Sequence, residues 1–452
     1  AHRRPIALQP VRPMSSILIP VYGSDEVVEL RLDALPEDAA QVAAVLRAET
    51  APLDLWLRCA LAYYELGRVE QSLQLLQEGS DIPEDIFPDS KADRVALVTA
   101  LAGHCVNAAA ATGGEKRKLK DLFDQASQHY SRADTIDLSD PRIWLGRGLM
   151  HLHRGELAKA RQNLEQVLRQ QPLHPVPALG LACAAFGLGS YHEALRLFRQ
   201  LMTTCAEPPA GVRVGLGLCY AQLKQPALAK RCFERALEVE PEDQLASLAL
   251  AVCEVNETGD RTSVRQGVQR LADLHKADPS NPSVLNHLAN HLFYTKDFNA
   301  AERLARAAYQ GASSARVRSE SFFHLGRVHH VRGNLVGARQ FYSESAKNSP
   351  AFMLALMRLG QMHAHAGDHA AALEALTRVA KAHPQAPEPL RILGRLYVET
   401  KQFADAERVL DKLVAIDADD ADAWSLLAHV RVRSAASVAA GAAAAAAAAD
   451  VG

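Results

Sequence analysis

Long apolar runs are missing from this sequence. Although 48% of the 452 residues are apolar, no run approaches the roughly 18 residues of a membrane-spanning helix. The N-terminal stretch AHRRPIALQPVRPMSS also lacks the apolar core of a secretory signal. We therefore predict no membrane segment and no export.

Charge excess and paired cysteines are missing as well. The 50 basic residues stand against 52 acidic ones, which argues against the positive surface that nucleic-acid binding requires. The seven cysteines are odd in number and include no CxxC pair, so neither a disulfide framework nor a zinc ribbon is indicated. We predict reduced thiols and no direct contact with nucleic acid.

Enzyme signatures are absent too. The sequence has no phosphate-binding Walker loop, no GxSxG elbow and no GxGxxG after a strand. We therefore predict a protein that is not an enzyme and that binds no cofactor or metal.

What the sequence does contain is a repeat of 34 residues. A pattern of small and large residues runs from Leu359-Gly360 to Pro384, and it recurs 34 residues earlier from Leu325 and 34 later from Leu393. This is the tetratricopeptide (TPR) pattern, in which each repeat forms two helices. Small residues stand where helix backbones approach, and proline ends the second helix because it cannot continue the hydrogen-bond ladder.

The array predicts an all-α fold, a right-handed α-solenoid or superhelix. We count about ten helix pairs from about Pro52 to Ala418, followed by a lone first helix that contains Trp424. Before the array, ILIPVY and VVELRL flank a turn sequence. They predict a short β-hairpin, which must pack on the first repeat or on a partner because a lone hairpin is marginal in water.

The same patterns predict four segments. They are a flexible basic, proline-containing N terminus at 1–13, strands and a lead-in helix at 14–50, the TPR superhelix at 51–433, and an alanine-rich low-complexity tail at 434–452. The tail offers no polar capping face of the kind that terminal repeats carry. Its alternative interpretation is a natural alanine-rich helix.

The first helices of TPR repeats line a concave groove, and in the N-terminal half several groove positions are apolar. Exposed apolar side chains mark interaction sites, so we predict a partner helix or extended segment there. The alternative is a tightly wound superhelix that fills its own groove. The apolar groove positions are Leu57, Leu61, Tyr64, Leu145, Leu149, Leu152, Leu179, Phe186, Val214 and Leu218.

Polar and basic groove positions follow further along the chain. The stretch VLNHLANH places Asn286 and Asn290 on the groove side of one helix, where amides can hold an extended peptide backbone; the alternative is a solvated polar face. His287 and His291 have the spacing of the zinc motif HExxH, but leucine replaces its glutamate, so packing is the preferred interpretation. The basic groove positions, which would suit acidic partners, are Arg327, Arg391 and Arg395.

Three segments resemble the large TPR subunits of the RNA polymerase II-associated factor (PAF) complex. They are SDEVVELRLDALP at 24–36, APLDLWLRCALAYYELG at 51–67 and DPSNPSVLNHLANHLFYTKDF at 278–298. The resemblance implies a nuclear, non-catalytic scaffold that assembles the elongation complex on transcribing RNA polymerase II and supports histone modification. It also implies that other PAF subunits are partners, chiefly the namesake subunit on the N-terminal repeats.

Two other function classes stay open from the residues alone. A generic TPR adaptor would bind a peptide or a chaperone, and its carboxylate clamp needs lysines beside the groove asparagine. A regulatory TPR array would belong to an enzyme whose catalytic domain is absent from this chain. Only one repeat here carries paired asparagines, which disfavours the asparagine-lined array of such an enzyme.

Overall fold

The computed structural model of the protein describes residues 16–21, 26–31, 35–111, 116–257, 259–350 and 352–449. Its residues form two units, Ala1–Glu254 (unit 1) and Val255–Gly452 (unit 2). Both units are stacks of helix pairs, and unit 1 also carries a small sheet. The segment 1–13, predicted to be flexible, lies outside the described residues.

Unit 1 begins with two strands and one lead helix, and then alternates the first and second helices of successive pairs. The strands are β1 (Ser16–Pro20) and β2 (Val27–Arg31). The helices are α1 (Ala39–Ala48), α2 (Leu53–Glu65), α3 (Val69–Ser80), α4 (Lys91–Ala111), α5 (Lys116–Ile136), α6 (Pro141–His153), α7 (Leu157–Gln170), α8 (Pro175–Gly187), α9 (Tyr191–Thr204), α10 (Ala210–Gln222), α11 (Pro226–Val239) and α12 (Gln244–Val255).

In unit 2 first and second helices also alternate, and the unit begins with the second helix of a repeat. Its helices are α13 (Arg261–Ala277), α14 (Pro282–Tyr294), α15 (Phe298–Gly311), α16 (Ala315–Val331), α17 (Leu335–Asn348), α18 (Met353–His365), α19 (His369–Ala382), α20 (Pro387–Glu399), α21 (Phe403–Ile416) and α22 (Ala421–Ala449). In chain order the described helices α2 to α21 alternate as the first and second helices of ten repeats, and α22 is the lone first helix. The prediction of an all-α solenoid of about ten repeats is therefore confirmed.

The predicted β-hairpin is confirmed as well. β1 and β2 pair antiparallel, and residues 22–25 between them lie outside the described residues. Ile17 and Ile19 are buried while Leu18 between them is exposed, as alternation along a strand requires. The two buried isoleucines share a core cluster with Trp56 of α2, so the hairpin packs on the first repeat.

One large side chain of the second helix fills the space beside the first helices. A Cβ atom added to Gly148 of α6 would lie 2.7 Å from Leu164 of α7, and one added to Gly180 of α8 would lie 2.9 Å from it. Leu164 therefore lies between a glycine of its own repeat and a glycine of the next. Buried large residues at the equivalent position include Tyr130, Phe198 and Phe233 in unit 1 and Tyr342, Leu376 and Leu410 in unit 2.

The turn between the two helices of a pair requires a left-handed residue. Glycine supplies it in most repeats, for example Gly155 with φ of 75° and Gly367 with φ of 77°. Lysine takes the same position in three repeats, where Lys224, Lys296 and Lys401 have φ of 58°, 66° and 60°. In these repeats the turn ends the first helix at the same place.

The helix α22 continues beyond the last full pair. It buries Ala423, Leu427 and Val430 in a core cluster with residues of α20 and α21. Its backbone then stays helical through the alanine-rich sequence to Ala449, as in the alternative interpretation of the tail and as the high helix propensity of alanine favours. Of the helices that the structure describes, none combines the length and the apolarity that crossing a membrane requires.

Candidate functional site

In unit 1 the first helices of successive pairs contact one another. α2 touches α4, α4 touches α6, and α8 touches both α6 and α10. Because the TPR period places equivalent positions of successive first helices side by side, the predicted apolar positions fall along one side of unit 1. We define the apolar surface as Leu57, Leu61, Tyr64, Leu145, Leu149, Leu152, Leu179, Phe186 and Leu218.

The apolar surface is most exposed at its beginning. Leu61 is 45% exposed and Tyr64 is 39% exposed, whereas the other members are half-buried. Large apolar side chains with this exposure retain area that a partner can remove from water. The surface therefore has the chemistry of a docking site.

Six members of the apolar surface also serve the fold. Leu57 and Leu218 pack against the core clusters of the first repeat and of α10 to α12. The other four, Leu145, Leu152, Leu179 and Phe186, pack against the core cluster that contains Leu164. The alternative of a superhelix that fills its own groove predicts part of this, because the inner portions of these side chains are already covered. A substitution at Leu61 consequently separates binding from folding better than a substitution at these six.

The prediction that Val214 lines the groove is wrong. Its side chain is 2% exposed and packs in one cluster with Phe233 of α11 and Leu250 of α12. The next first helix thus contributes to covering it, and no partner side chain can contact it in this arrangement.

α4 places polar groups beside the apolar surface. The ring of Tyr64 meets His104 edge-on, with 4.9 Å between the ring centroids, and the Tyr64 hydroxyl accepts a hydrogen bond from Asn107 Nδ2 at 3.0 Å. Burial lowers the pKa of His104, which also contacts Ser72 Oγ at 3.2 Å. The sequence reasoning missed His104 and Asn107 because the irregular second repeat offered no clear register.

In unit 2 the two predicted asparagines have different environments. Asn286 is 2% exposed, donates from Nδ2 to the Val317 carbonyl at 3.2 Å and accepts at Oδ1 from Ser321 Oγ at 2.9 Å. Its amide ties α14 to α16, so the prediction that Asn286 lines the groove is wrong. A buried amide must satisfy its hydrogen bonds internally, and this one does so with α16.

Asn290 and Arg327 are brought together. The Arg327 guanidinium donates to Asn290 Oδ1 at 2.7 Å, and its carbon atom lies 3.8 Å from the centroid of the Phe293 ring. Both polar side chains are half-buried on neighbouring first helices. Burial is the main cause that lowers the pKa of Arg327, although the group stays charged at neutral pH.

The other two predicted groove arginines, Arg391 and Arg395, are paired with carboxylates. Arg391 donates from Nε to Asp420 Oδ2 at 2.7 Å, and Arg395 lies 3.0 Å from the carboxylate of Asp422. The prediction of a basic groove at these residues is therefore wrong. It failed because acidic residues at the start of the next first helix are adjacent in space but distant in sequence.

Two histidines of unit 2, His287 and His324, are packing residues in this arrangement. Burial lowers the pKa of His287, and it lowers that of His324 to about 3, with the positive charge of Arg327 as a further cause. Both are consequently neutral at physiological pH. Among the described residues, no three His, Cys, Asp or Glu side chains are placed as the ligands of one metal ion.

Comparison with protein families identifies the repeat. Tetratricopeptide repeat models match residues 120–175, 210–243, 286–351 and 363–430. The matches fall in both units, and the match at 210–243 covers the helix pair α10 and α11. They indicate no enzyme family.

Curated proteins named CTR9 are similar to most of the chain. The CTR9 homolog of Arabidopsis thaliana is 33% identical over 93% of this chain and 39% of its own length. The RNA polymerase-associated protein CTR9 of Caenorhabditis elegans is 30% identical over 94% of this chain and 38% of its own length. The Saccharomyces cerevisiae protein of the same name is 25% identical over 77% of this chain and 34% of its own length. The chain thus spans less than two fifths of the length of these relatives.

A solved structure shares the fold. In the crystal structure of the APC/C hetero-tetramer Cut9-Hcn1, one chain matches with a TM-score of 0.53 at 12% identity, covering 84% of this chain and 76% of that one. At this identity the likeness concerns the fold alone. The CTR9 relatives confirm the predicted resemblance: the chain is similar in sequence to the CTR9 proteins over most of its length, and it folds as a solenoid of tetratricopeptide repeats.

Proposed function

We propose that this chain is a non-catalytic scaffold of the PAF complex. In this role it holds other subunits together in the nucleus during transcription elongation and co-transcriptional histone modification. The observation that carries the proposal is the 33% identity to the Arabidopsis CTR9 homolog over 93% of the chain. Two further relatives are named RNA polymerase-associated proteins. Because the chain spans 39% of the Arabidopsis relative, the proposal concerns one part of such a scaffold.

The apolar surface of unit 1 supports a docking role for the namesake subunit. Binding energy at protein interfaces is concentrated in a few well-packed side chains, which are surrounded by contacts of little energy. Leu61 and Tyr64 offer the most exposed area for such anchors, and the half-buried leucines continue the surface from α6 to α10. An apolar segment of the partner, helical or extended, is the occupant that this chemistry favours.

The test is co-purification of the full chain with the tagged namesake subunit. The variant combines Leu61→Asp with Leu149→Asp, two members of the apolar surface. Leu173→Asp is the matched control, because Leu173 is a leucine of 64% exposure that lies outside this surface. A carboxylate forced into a desolvated contact costs at least about 2 kcal/mol, so we expect roughly 30-fold weaker binding by the variant.

Each outcome has a defined meaning once circular dichroism shows unchanged helicity. Binding by wild type and by Leu173→Asp, but not by the double variant, supports both the scaffold and the docking surface. Equal binding by all three chains rejects the docking surface and leaves the scaffold. Failure of wild type to retain any subunit of the complex rejects the proposed function in favour of a generic TPR adaptor.

A further inference from the structure

Arg327 of α16 is held in an unusual way. Its guanidinium carbon lies 3.8 Å from the ring centroid of Phe293, 5.0 Å from that of Tyr294 and 5.7 Å from that of Phe323. Aromatic faces attract a guanidinium and fix its plane. Arg327 is therefore oriented before any ligand arrives.

The hydrogen-bonding capacity of Arg327 is only partly used. A guanidinium carries five N–H donors; one of them donates to Asn290 Oδ1 at 2.7 Å, and Arg327 also forms a hydrogen bond with the Tyr294 side chain. A planar guanidinium presents pairs of parallel donors that match the two oxygens of a carboxylate. Because the Phe293 contact occupies the face of the guanidinium, its edges are where an acceptor would bind.

No carboxylate compensates this charge within the described part of unit 2. Neither Arg327 nor Arg358 forms an ion pair there, whereas Arg316, Arg332 and Arg391 do. Arg358 of α18 donates to the neutral Gln361 Oε1 at 2.9 Å, and its positive charge acts with burial to lower the pKa of Arg327. Arg327 and Arg358 lie on successive first helices, and neither has a carboxylate partner there, so together they create a local positive field. Partial burial makes a charge without such a partner costly in free energy.

We propose that Arg327 and Arg358 bind an acidic side chain in an extended segment of a partner protein, with the carboxylate in the donor edge of Arg327. This inference rests on the proposed function, because it assigns a partner chemistry to a second surface of the same scaffold. Two arginines match one or two carboxylates. A nucleic-acid backbone needs a longer positive track, and the arginines of α20 are already paired with aspartates.

The test measures binding of a fluorescein-labelled peptide of alternating glycine and glutamate to the full chain at low salt. A peptide of alternating glycine and glutamine is the neutral control ligand. The variants are Arg327→Gln, Arg327→Lys and Arg358→Gln, and the matched control is Arg303→Gln, which removes an exposed arginine from the second helix α15. Arg327→Lys keeps the charge but loses the paired donors, so it separates geometry from net charge.

We expect the glutamate peptide to bind and the glutamine peptide not to bind. Arg327→Gln should weaken binding at least about tenfold, Arg327→Lys nearly as much, and Arg358→Gln by a smaller factor, while Arg303→Gln leaves it unchanged. Equal binding by wild type and Arg327→Gln overturns the inference, as does the absence of binding at millimolar peptide. Tighter, Arg327-dependent binding of single-stranded oligouridine overturns it in favour of RNA.

The proposed function is tested separately by the same chains. Arg327→Gln leaves the apolar surface intact, so it should still co-purify with the namesake subunit. If the peptide result is negative while that co-purification succeeds, the inference fails and the scaffold remains. If wild type binds the peptide but retains no subunit, the scaffold fails and the acidic-segment site remains.

Discussion

Three repeats of unit 1 and three of unit 2 use the same helix pair but differ at one position of the first helix, two residues before a Gly or Ala. This position is occupied by Gly146, Gly180 and Gly215 in the repeats of unit 1 and by His287, His324 and Arg358 in those of unit 2. In unit 1 a Cβ atom would lie 2.4 Å from Tyr130 at Gly146 and 2.4 Å from Phe198 at Gly215. Glycine is therefore required by the large side chain of the preceding second helix.

Unit 2 fills the space between successive first helices differently. Where unit 1 has Tyr130 or Phe198 on the second helix, the repeat before His324 has Ala305, and the imidazole stands on the first helix instead. In the three repeats of unit 1 the first helices are thus spaced by apolar packing, whereas in the three repeats of unit 2 they carry groups with donors or charge at this position. The same backbone plan consequently yields an apolar surface in one unit and the Asn290–Arg327 pair in the other.

The largest expected effect comes from adding a methyl group where a first helix of unit 1 has no space for one. Gly215→Ala places a Cβ atom 2.4 Å from the ring of Phe198, which is 3% exposed and cannot move into solvent without losing its core contacts. Overpacking of this kind should lower the free energy of unfolding by about 2 kcal/mol, even after the gain in helix propensity. Urea denaturation monitored by circular dichroism measures the change.

The control for Gly215→Ala is Gly103→Ala in α4. No atom lies within 4 Å of a Cβ added there, so alanine should stabilise the helix by about 0.5–1 kcal/mol. Shortening the clashing ring with Phe198→Leu should rescue part of the Gly215→Ala loss, so the double variant should be less than additive. Additive losses would show that the glycine is not paired with Phe198.

The second prediction concerns His324 of unit 2, whose imidazole titrates where three repeats of unit 1 have a glycine. Burial lowers the pKa of His324 to about 3 from 6.5, and Arg327 and His287 act in the same direction. The unfolded chain therefore binds this proton more tightly than the folded one, and stability rises with pH between these two values. Between pH 7 and pH 5 the folded state should lose about 2 kcal/mol through this group.

The variant His324→Gln isolates that contribution. Urea denaturation at pH 7 and pH 5 should show a smaller loss for His324→Gln than for wild type, whatever its stability at pH 7. His153 provides the matched control, since it is an exposed histidine at the end of α6, and His153→Gln should retain the wild-type difference. If His324→Gln lost as much stability as wild type between pH 7 and pH 5, the result would contradict a buried, neutral imidazole at His324.

How far the sequence predicts this molecule follows from the range of the interactions. The 34-residue period depends on residues within one repeat, and it located the helix pairs and most apolar positions. Asn286 and Arg391 were misplaced because their partners, Ser321 and Asp420, come from the next repeat. Helical periodicity gives the face on which a residue lies but not what the neighbouring helix brings to that face.

The last and smallest prediction tests what the two units share, the left-handed turn after the first helix. Lys224 in unit 1 and Lys401 in unit 2 have φ of 58° and 60°, a region that costs a residue with a Cβ atom about 1 kcal/mol. Lys224→Gly and Lys401→Gly should each stabilise by about 0.5–1 kcal/mol in urea denaturation, less the added entropy of the unfolded chain. The converse control, Gly367→Lys, should destabilise by a similar amount, since its φ is 77°. If both lysine-to-glycine variants gain the same stability, the two units differ in their first helices and not in these turns. If only one variant gains stability, the units differ in their turns as well.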